Sequence, residues 1–161
     1  MASEIERKFL VKRESWPAPL KPGVHYRQGY LSVDPERTVR VRIAGSNAFI
    51  TVKGLTRGIE RREFEYSIPP ADAGVMLDEL CTRPLVEKLR HRIIFAGLTW
   101  EVDEFLGENK GLLLAEVELP APDARVELPP WAGLEVSDDP RYFNSNLSRN
   151  PYTRWGDVER T

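Results

Sequence analysis

Cysteine is almost missing from this chain: Cys81 is the only one in 161 residues. A lone thiol excludes an intramolecular disulfide and any zinc site built on cysteines. Beside the largely apolar stretch Val75 to Leu80, Cys81 reads as small apolar filler. Histidine is as scarce, and His25 and His91 stand alone, which excludes a His-rich metal site. No stretch of 18 apolar residues occurs. The N-terminus sets Glu4 and Glu6 ahead of a short apolar run, without the basic-then-apolar order of a signal peptide. A soluble, cytoplasmic protein with no membrane partner is expected. An excess of one charge is also lacking: 23 Lys and Arg face 25 Asp and Glu, for a formal net charge of −2. A nucleic-acid-binding domain carries a basic surplus, so no nucleic acid is expected as partner. Repeats, low-complexity tracts and a domain boundary are absent too. Residues 1–161 therefore read as one domain, long enough to bury a core.

What is abundant is charge of both signs, 30% of the residues, laid out with a period of two. In Glu4-Ile5-Glu6-Arg7-Lys8-Phe9-Leu10-Val11, one face carries Glu4, Glu6 and Lys8 and the other Ile5, Arg7, Phe9 and Val11. Thr38 to Ile43 sets Arg40 and Arg42 against Val39, Val41 and Ile43. Phe49 to Lys53 sets Thr51 and Lys53 against Ile50 and Val52. Arg61 to Ile68 sets Glu63 and Glu65 against Phe64, Tyr66 and Ile68. Lys88, Arg90 and Arg92 share a face opposite Leu89, His91 and Ile93. Thr99 to Phe105 sets Glu101 and Asp103 against Trp100 and Val102, and Leu112 to Leu119 sets Glu116 and Glu118 against Ala115, Val117 and Leu119. With a strand through His25 to Val33, about eight strands result.

Asp34-Pro35, Gly45-Ser46-Asn47, Gly54, Gly97 and Gly107 supply the turns between them. Three stretches read as helical. Pro70 to Leu80 places Val75, Met76 and Leu80 at helical spacing, and Pro122 to Leu128 suits a short helical turn. Asp139-Pro140 opens Arg141 to Ser148 with Asp as N-cap and Pro at the first helical position. Trp16, Trp131 and Trp155 fall in loops, where surface packing is expected.

A half-buried strand ordinarily turns its charged face to water. Here the charged faces sort by sign: Arg40/Arg42, Lys53 and Lys88/Arg90/Arg92 are basic, Glu63/Glu65, Glu101/Asp103 and Glu116/Glu118 acidic, and only the first strand mixes them. Solvated sheets intersperse signs, because like charges side by side repel. Eight strands close into a barrel that holds side chains or one small ligand. The expected fold is therefore mainly β: a closed eight-stranded antiparallel barrel, charged inside, with a few helices packed outside. Burying so many charges costs stability relative to an apolar core, so the lining reads as a binding site. The cations call for a polyanion and the carboxylates for a hard divalent ion such as Mg²⁺, which takes oxygen ligands and substrate phosphates.

Glu4-Ile5-Glu6-Arg7-Lys8 resembles the ExExK signature of the CYTH superfamily, the triphosphate tunnel metalloenzymes. The likeness extends through Gln28-Gly29-Tyr30-Leu31, Arg40-Val41-Arg42, Thr51-Val52-Lys53-Gly54, Arg62-Glu63-Phe64-Glu65-Tyr66, Glu87-Lys88-Leu89-Arg90, Trp100-Glu101-Val102-Asp103 and Leu114-Ala115-Glu116-Val117-Glu118-Leu119. The tail Val136 to Asn144 is similar to that of the small bacterial members. The resemblance implies an eight-stranded tunnel that binds a triphosphate with Mg²⁺ or Mn²⁺. By position, Lys8, Arg40, Arg42, Lys53, Lys88 and Arg90 would grip phosphate oxygens, and Glu4, Glu6, Glu116 and Glu118 would hold metal. Glu63, Glu65, Asp103 and Tyr30 would support them, Arg92 would be structural, and the segment Asp139 to Ser148 would plug one mouth.

By analogy with the short bacterial members, the activity implied is hydrolysis of inorganic triphosphate to pyrophosphate and phosphate. Lys88, Glu116 and Glu118 are the candidates for catalysis, the carboxylates by orienting water and Lys88 at the scissile end. Adenylate cyclisation and thiamine or nucleoside triphosphate hydrolysis are rivals within the family, but no purine pocket or aromatic cluster for them is visible. A non-catalytic polyphosphate or nucleotide sensor is the rival of another class; the surplus of carboxylates speaks for metal dependence instead. The sequence permits a homodimer without requiring one.

Overall fold

Alternation of charged and apolar side chains folds into nine strands of one antiparallel sheet. The computed structural model describes residues 3–17, 19 and 21–156. The strands are β1 (Ser3–Val11), β2 (Val24–Ser32), β3 (Thr38–Ala44), β4 (Asn47–Lys53), β5 (Glu60–Ser67), β6 (Val86–Phe95), β7 (Leu98–Leu106), β8 (Leu113–Glu118) and β9 (Ala132–Glu135). Their order is β5-β4-β3-β2-β6-β7-β8-β1-β9. A further pairing of β1 with β5, Ser3↔Arg62 through Ile5↔Glu60, closes the first eight into a barrel. Closure is short: β5 beyond Arg62 pairs with β4 alone.

The ninth strand was not evident in the sequence, being four residues long with no charged alternation. It pairs with β1 at Phe9↔Glu135 and Val11↔Ala132, where β5 no longer reaches. Thus β1 has β8 on one side and, on the other, first β5 and then β9.

Three apolar clusters hold the barrel. One lies on its outer face, where Phe9, Trp100, Val102, Ala115 and Val117 pack under Trp131. Trp16 meets Trp131 edge-on with ring centres 5.1 Å apart, and Trp131 meets Trp100 likewise at 5.4 Å. Two of the tryptophans expected at the surface are therefore core residues: Trp131 and Trp155 are 5% and 4% exposed. Loops cover the outward apolar face here, so a loop tryptophan becomes its lid. The same demand accounts for Pro122–Leu128, which makes one turn at Ala121–Ala124 and then runs irregularly rather than helically. Pro120, Pro122, Pro129 and Pro130 remove backbone donors, and Ala124 and Val126 reach the barrel from alternate positions.

A second outer cluster joins Val41 and Ala48 to Ala73, Leu77 and Cys81. The helix supplying it, α1 (Pro70–Val75), continues as one π-helical turn over Met76–Leu80. Its buried residues are Ala73 and Leu77, four apart on one face. Of the stripe expected from sequence only Met76 packs inward; Val75 and Leu80 are 54% and 62% exposed. Gly29 of β2 lets this element come close: a Cβ there would lie 2.7 Å from Leu85 Cδ2 and 2.8 Å from Cys81 Cβ. Cys81 is buried filler, as its sequence context suggests.

The third cluster lies inside one end of the barrel. Leu10, Val86, Phe105, Leu112 and Leu114 meet Val136, Tyr142, Leu147 and Trp155 from the C-terminal segment. That segment is a 3-10 turn, Pro140–Tyr142, and a short α2 (Asn144–Leu147), with Phe143 extended between them. The helix expected through Arg141–Ser148 is broken there. Its start is as expected, since the Asp139 carboxylate accepts from the Arg141 backbone N–H. Among the described residues no helix is long and apolar enough to cross a membrane.

Candidate active site

Inside the barrel the charged faces meet around one cavity of about 380 Å³. Strand order sorts the inward side chains around it into two arcs. Lys53 of β4, Arg40 and Arg42 of β3, and Lys88, Arg90 and Arg92 of β6 form a basic arc, with the uncharged Tyr26, Gln28 and Tyr30 of β2 in its middle. Glu101 and Asp103 of β7, Glu116 and Glu118 of β8, Glu4 and Glu6 of β1, and Glu63 and Glu65 of β5 form the acidic arc. Lys8 of β1 is a cation inside the acidic arc.

The arcs are cross-linked by ion pairs. Lys8 Nζ lies 3.5 Å from Glu116 Oε1 and donates to the Tyr142 carbonyl at 3.2 Å. Lys53 Nζ donates to Glu4 Oε1 at 2.8 Å and lies 3.5 Å from Glu63 Oε2. Arg40 donates to Thr51 Oγ1 and to Glu65, while its buried Nε has no partner. Arg90 makes two bonds to Asp103, 2.7 and 2.8 Å, and Lys88 Nζ lies 2.8 Å from the same carboxylate. Lys88 also donates to Asn144 Oδ1 of α2 at 3.0 Å, so the plug helps to hold it. Arg42 differs from these. Its Nε donates to the neutral Gln28 Oε1 at 2.8 Å, and it forms no ion pair with any described carboxylate.

Burial and crowding shift the site's titrations. Burial, with Arg40 and Arg90 close by, brings Arg42 down to about 9. Burial also brings Lys88 down to about 7; Asp103 opposes this, and Arg90 and Arg42 reinforce it. Glu116 is held well below the usual carboxylate range: burial raises it, but Lys8, Arg90 and Lys88 prevail. Burial and the neighbouring Glu116 and Glu4 push Glu6 well up, and Glu6 hydrogen-bonds Glu116. Glu63 is raised to about 7 by burial and its hydrogen bond to Glu4. Against its own burial, that bond and Lys53 hold Glu4 at about 2.

On the cavity wall Glu63 is thus raised beside a lowered Glu4, and Glu6 is raised beside a lowered Glu116. Carboxylates crowded so closely that burial and like charge raise Glu6 and Glu63 fit a hard divalent cation, which would relieve the repulsion. Among the described residues no three of His, Cys, Asp and Glu form a ready-made cage. That suits an ion bound by one or two carboxylates together with water and substrate oxygens.

Every site residue expected from sequence lies at this cavity except one. Lys8, Arg40, Arg42, Lys53, Lys88, Arg90, Glu4, Glu6, Glu116, Glu118, Glu63, Glu65 and Tyr30 all line it. Asp103 sits behind the wall, 1% exposed, as the shared partner of Lys88 and Arg90. Arg92 is at the rim, 68% exposed at its side chain and paired with Glu101 at 3.0 Å. Among the lining residues that the sequence reading does not include are Arg61, Tyr26 and Asn144. Arg61 faces inward from β5 and donates to Thr38 Oγ1 at 2.8 Å, so that strand is not wholly acidic. Its parity with Glu63 and Glu65 was the signal. Tyr26 shares the parity of Gln28 and Tyr30. Asn144 gave no signal, since only the docking of the plug brings it to Lys88.

Known proteins resemble this chain over nearly its whole length. The CYTH domain model matches residues 2–146. An inorganic triphosphatase of Acetivibrio thermocellus is 51% identical over 152 residues, 94% of this chain and 97% of the relative. An inorganic triphosphatase of Nitrosomonas europaea is 36% identical over 150 residues, 91% of this chain and 97% of the relative. A crystal structure of an inorganic triphosphatase superposes with a TM-score of 0.65 at 35% identity, covering 92% of this chain and 95% of that one. Matched over nearly its whole length, the chain belongs to the CYTH domain family.

Proposed function

We infer that the chain is a hydrolase that cleaves inorganic triphosphate to pyrophosphate and phosphate. One observation carries the substrate class: a buried basic arc whose Arg42 is left without a carboxylate partner among the described residues. A buried guanidinium with no counter-ion is costly in the free protein and becomes favourable when a polyanion arrives. Kinship with two inorganic triphosphatases supports the same reading.

In this reading Arg40, Arg42 and Arg90 clamp phosphate oxygens through guanidinium hydrogen bonds, and Lys8, Lys53 and Lys88 add point charges. Glu4, Glu6, Glu116 and Glu118, one or two of them at any one ion, would hold Mg²⁺ or Mn²⁺, which would neutralise phosphate charge and favour attack at phosphorus. Glu116 and Glu118 orient the attacking water. Its oxygen bonds to the terminal phosphorus as the bond from that phosphorus to the bridging oxygen breaks, and the water's proton passes to a carboxylate. Lys88, with its proton poised near pH 7, balances charge on the departing pyrophosphate. Phosphoryl transfer of this kind depends on positioning and charge stabilisation.

The test is phosphate release from triphosphate with Mg²⁺, with Mn²⁺ and with EDTA. Release only with metal is expected, and it should fall sharply in Glu4→Gln and Glu116→Gln. Near-normal turnover in both variants would overturn the metal assignment. In Arg42→Met a KM at least about tenfold higher is expected, as loss of a charge-assisted hydrogen bond implies, with thermal stability kept or raised. An unchanged KM would remove Arg42 from the substrate site.

A further inference from the structure

Strand β2 lies in the middle of the basic arc yet brings no charge to it. Its inward residues near the cations are Tyr26 and Gln28. In register Tyr26 faces Lys88 of β6, while Gln28 faces Arg42 of β3 and Val24 faces Arg90. The Tyr26 ring, 7% exposed, consequently sits among three cations. Its centre is 4.8 Å from Arg42 Cζ, 4.9 Å from Arg90 Cζ and 5.9 Å from Lys88 Nζ. Both guanidinium distances are within the range for attraction to an aromatic face, about 6 Å.

We propose that Tyr26 is a positioning residue for the substrate: its ring holds Arg42, Arg90 and Lys88 side by side without neutralising them. This rests on the triphosphate reading above. Three buried cations repel one another strongly in a poorly polarisable interior. A carboxylate between them would relieve the repulsion but also compete with the phosphates, as Asp103 already does behind Arg90 and Lys88. An aromatic face attracts cations through its quadrupole and carries no net charge, so the positive potential stays directed at the cavity. Gln28 acts in the same sense at Arg42, accepting its Nε–H with a neutral amide oxygen. Tyr26 itself lines the cavity, so the three cations converge where the anion enters.

The quadrupole can be varied at constant shape. Tyr26→Phe keeps the ring, and replacing Tyr26 by phenylalanines with one, two and three ring fluorines weakens the π-face stepwise. The expected result is a KM for triphosphate close to the parent's in Tyr26→Phe, then rising in order of fluorination to about tenfold, consistent with the attraction of a desolvated cation to a ring. kcat and the thermal midpoint should change little across the series. A KM that stays flat with fluorination in folded, active protein would overturn the proposal, as would a fall in kcat with KM unmoved. Tyr26→Leu adds a check: KM raised with the thermal midpoint kept supports the role, whereas a drop in midpoint with an unchanged KM assigns the ring to packing alone. If the parent releases no phosphate from triphosphate with either metal, the substrate reading fails instead, a different result from a flat series in an active enzyme.

Discussion

Lys88 and Asp103 form an ion pair of 2.8 Å in which neither side chain reaches solvent, at 0% and 1% exposure. The same carboxylate takes two hydrogen bonds from Arg90, so one acid restrains two cations of the basic arc. Asp103→Asn keeps the shape and removes the charge, leaving both cations buried without a full counter-ion. A loss of about 3–5 kcal/mol in unfolding free energy is expected, the cost of breaking a buried pair from one side. Chemical denaturation measures it. A loss below about 1 kcal/mol would show that solvent or a neighbour compensates Lys88 and Arg90.

The Glu4–Glu63 pair sets an unusual pH dependence. Glu63 in the folded protein titrates at about 7, against 4.5 ordinarily, because of burial and its hydrogen bond to Glu4. Between these values the folded chain keeps a proton that the unfolded chain has lost, so this group's contribution to stability falls as pH rises from 4.5 to about 7. Glu6, raised by burial and its acidic neighbours, acts in the same direction. Glu4 acts oppositely and lower: held at about 2, it loses its contribution as pH falls below 4.5. Denaturation of chelator-treated protein across that upper window should show stability declining with pH, less steeply in Glu63→Gln. Saturating Mg²⁺ should reverse the slope, since a cation bound by the carboxylates replaces the retained protons. An identical slope in Glu63→Gln would count against the raised titration of Glu63.

Trp131 tests the outer core separately from the site. Its ring packs against Trp100 and Trp16 over the face of β1, β7 and β8 opposite the cavity. Trp131→Ala should cost about 3–5 kcal/mol, as large-to-small changes in a core do. Below its lowered melting temperature the KM for triphosphate should stay near the parent's, because the charged lining is untouched. A normal melting temperature would mean that the loop over this face is dispensable.

Much of the site could be read along the chain because its unit is local. A period of two assigns each side chain to a face from its neighbours alone, and thirteen of the fourteen expected site residues line one cavity. Asp103 had the correct parity, but whether a residue touches the cavity or stands behind its wall depends on depth, which parity does not carry. Trp131 and the run after Pro122 escaped for a related reason. A loop's fate is set by the surface it must cover, here the apolar back of the barrel. β9 escaped because its pairing depends on where β5 leaves the edge of β1.

The sequence by itself determined which faces are charged, which strands carry which sign, and that so much charge needs a ligand to justify it. Tertiary structure decided who stands beside whom. The link through α1 passes from β5 to β6, and β6 joins the sheet beside β2 rather than beside β5. That placement gathers Lys53, Arg40, Arg42, Lys88 and Arg90 into one arc around Tyr26 and leaves the carboxylates facing them. It also brings Asn144, more than fifty residues away in sequence, to Lys88. Alternation is a property of neighbouring residues, whereas strand order and the docking of the plug are settled by long-range pairing and by burial of the barrel's apolar end.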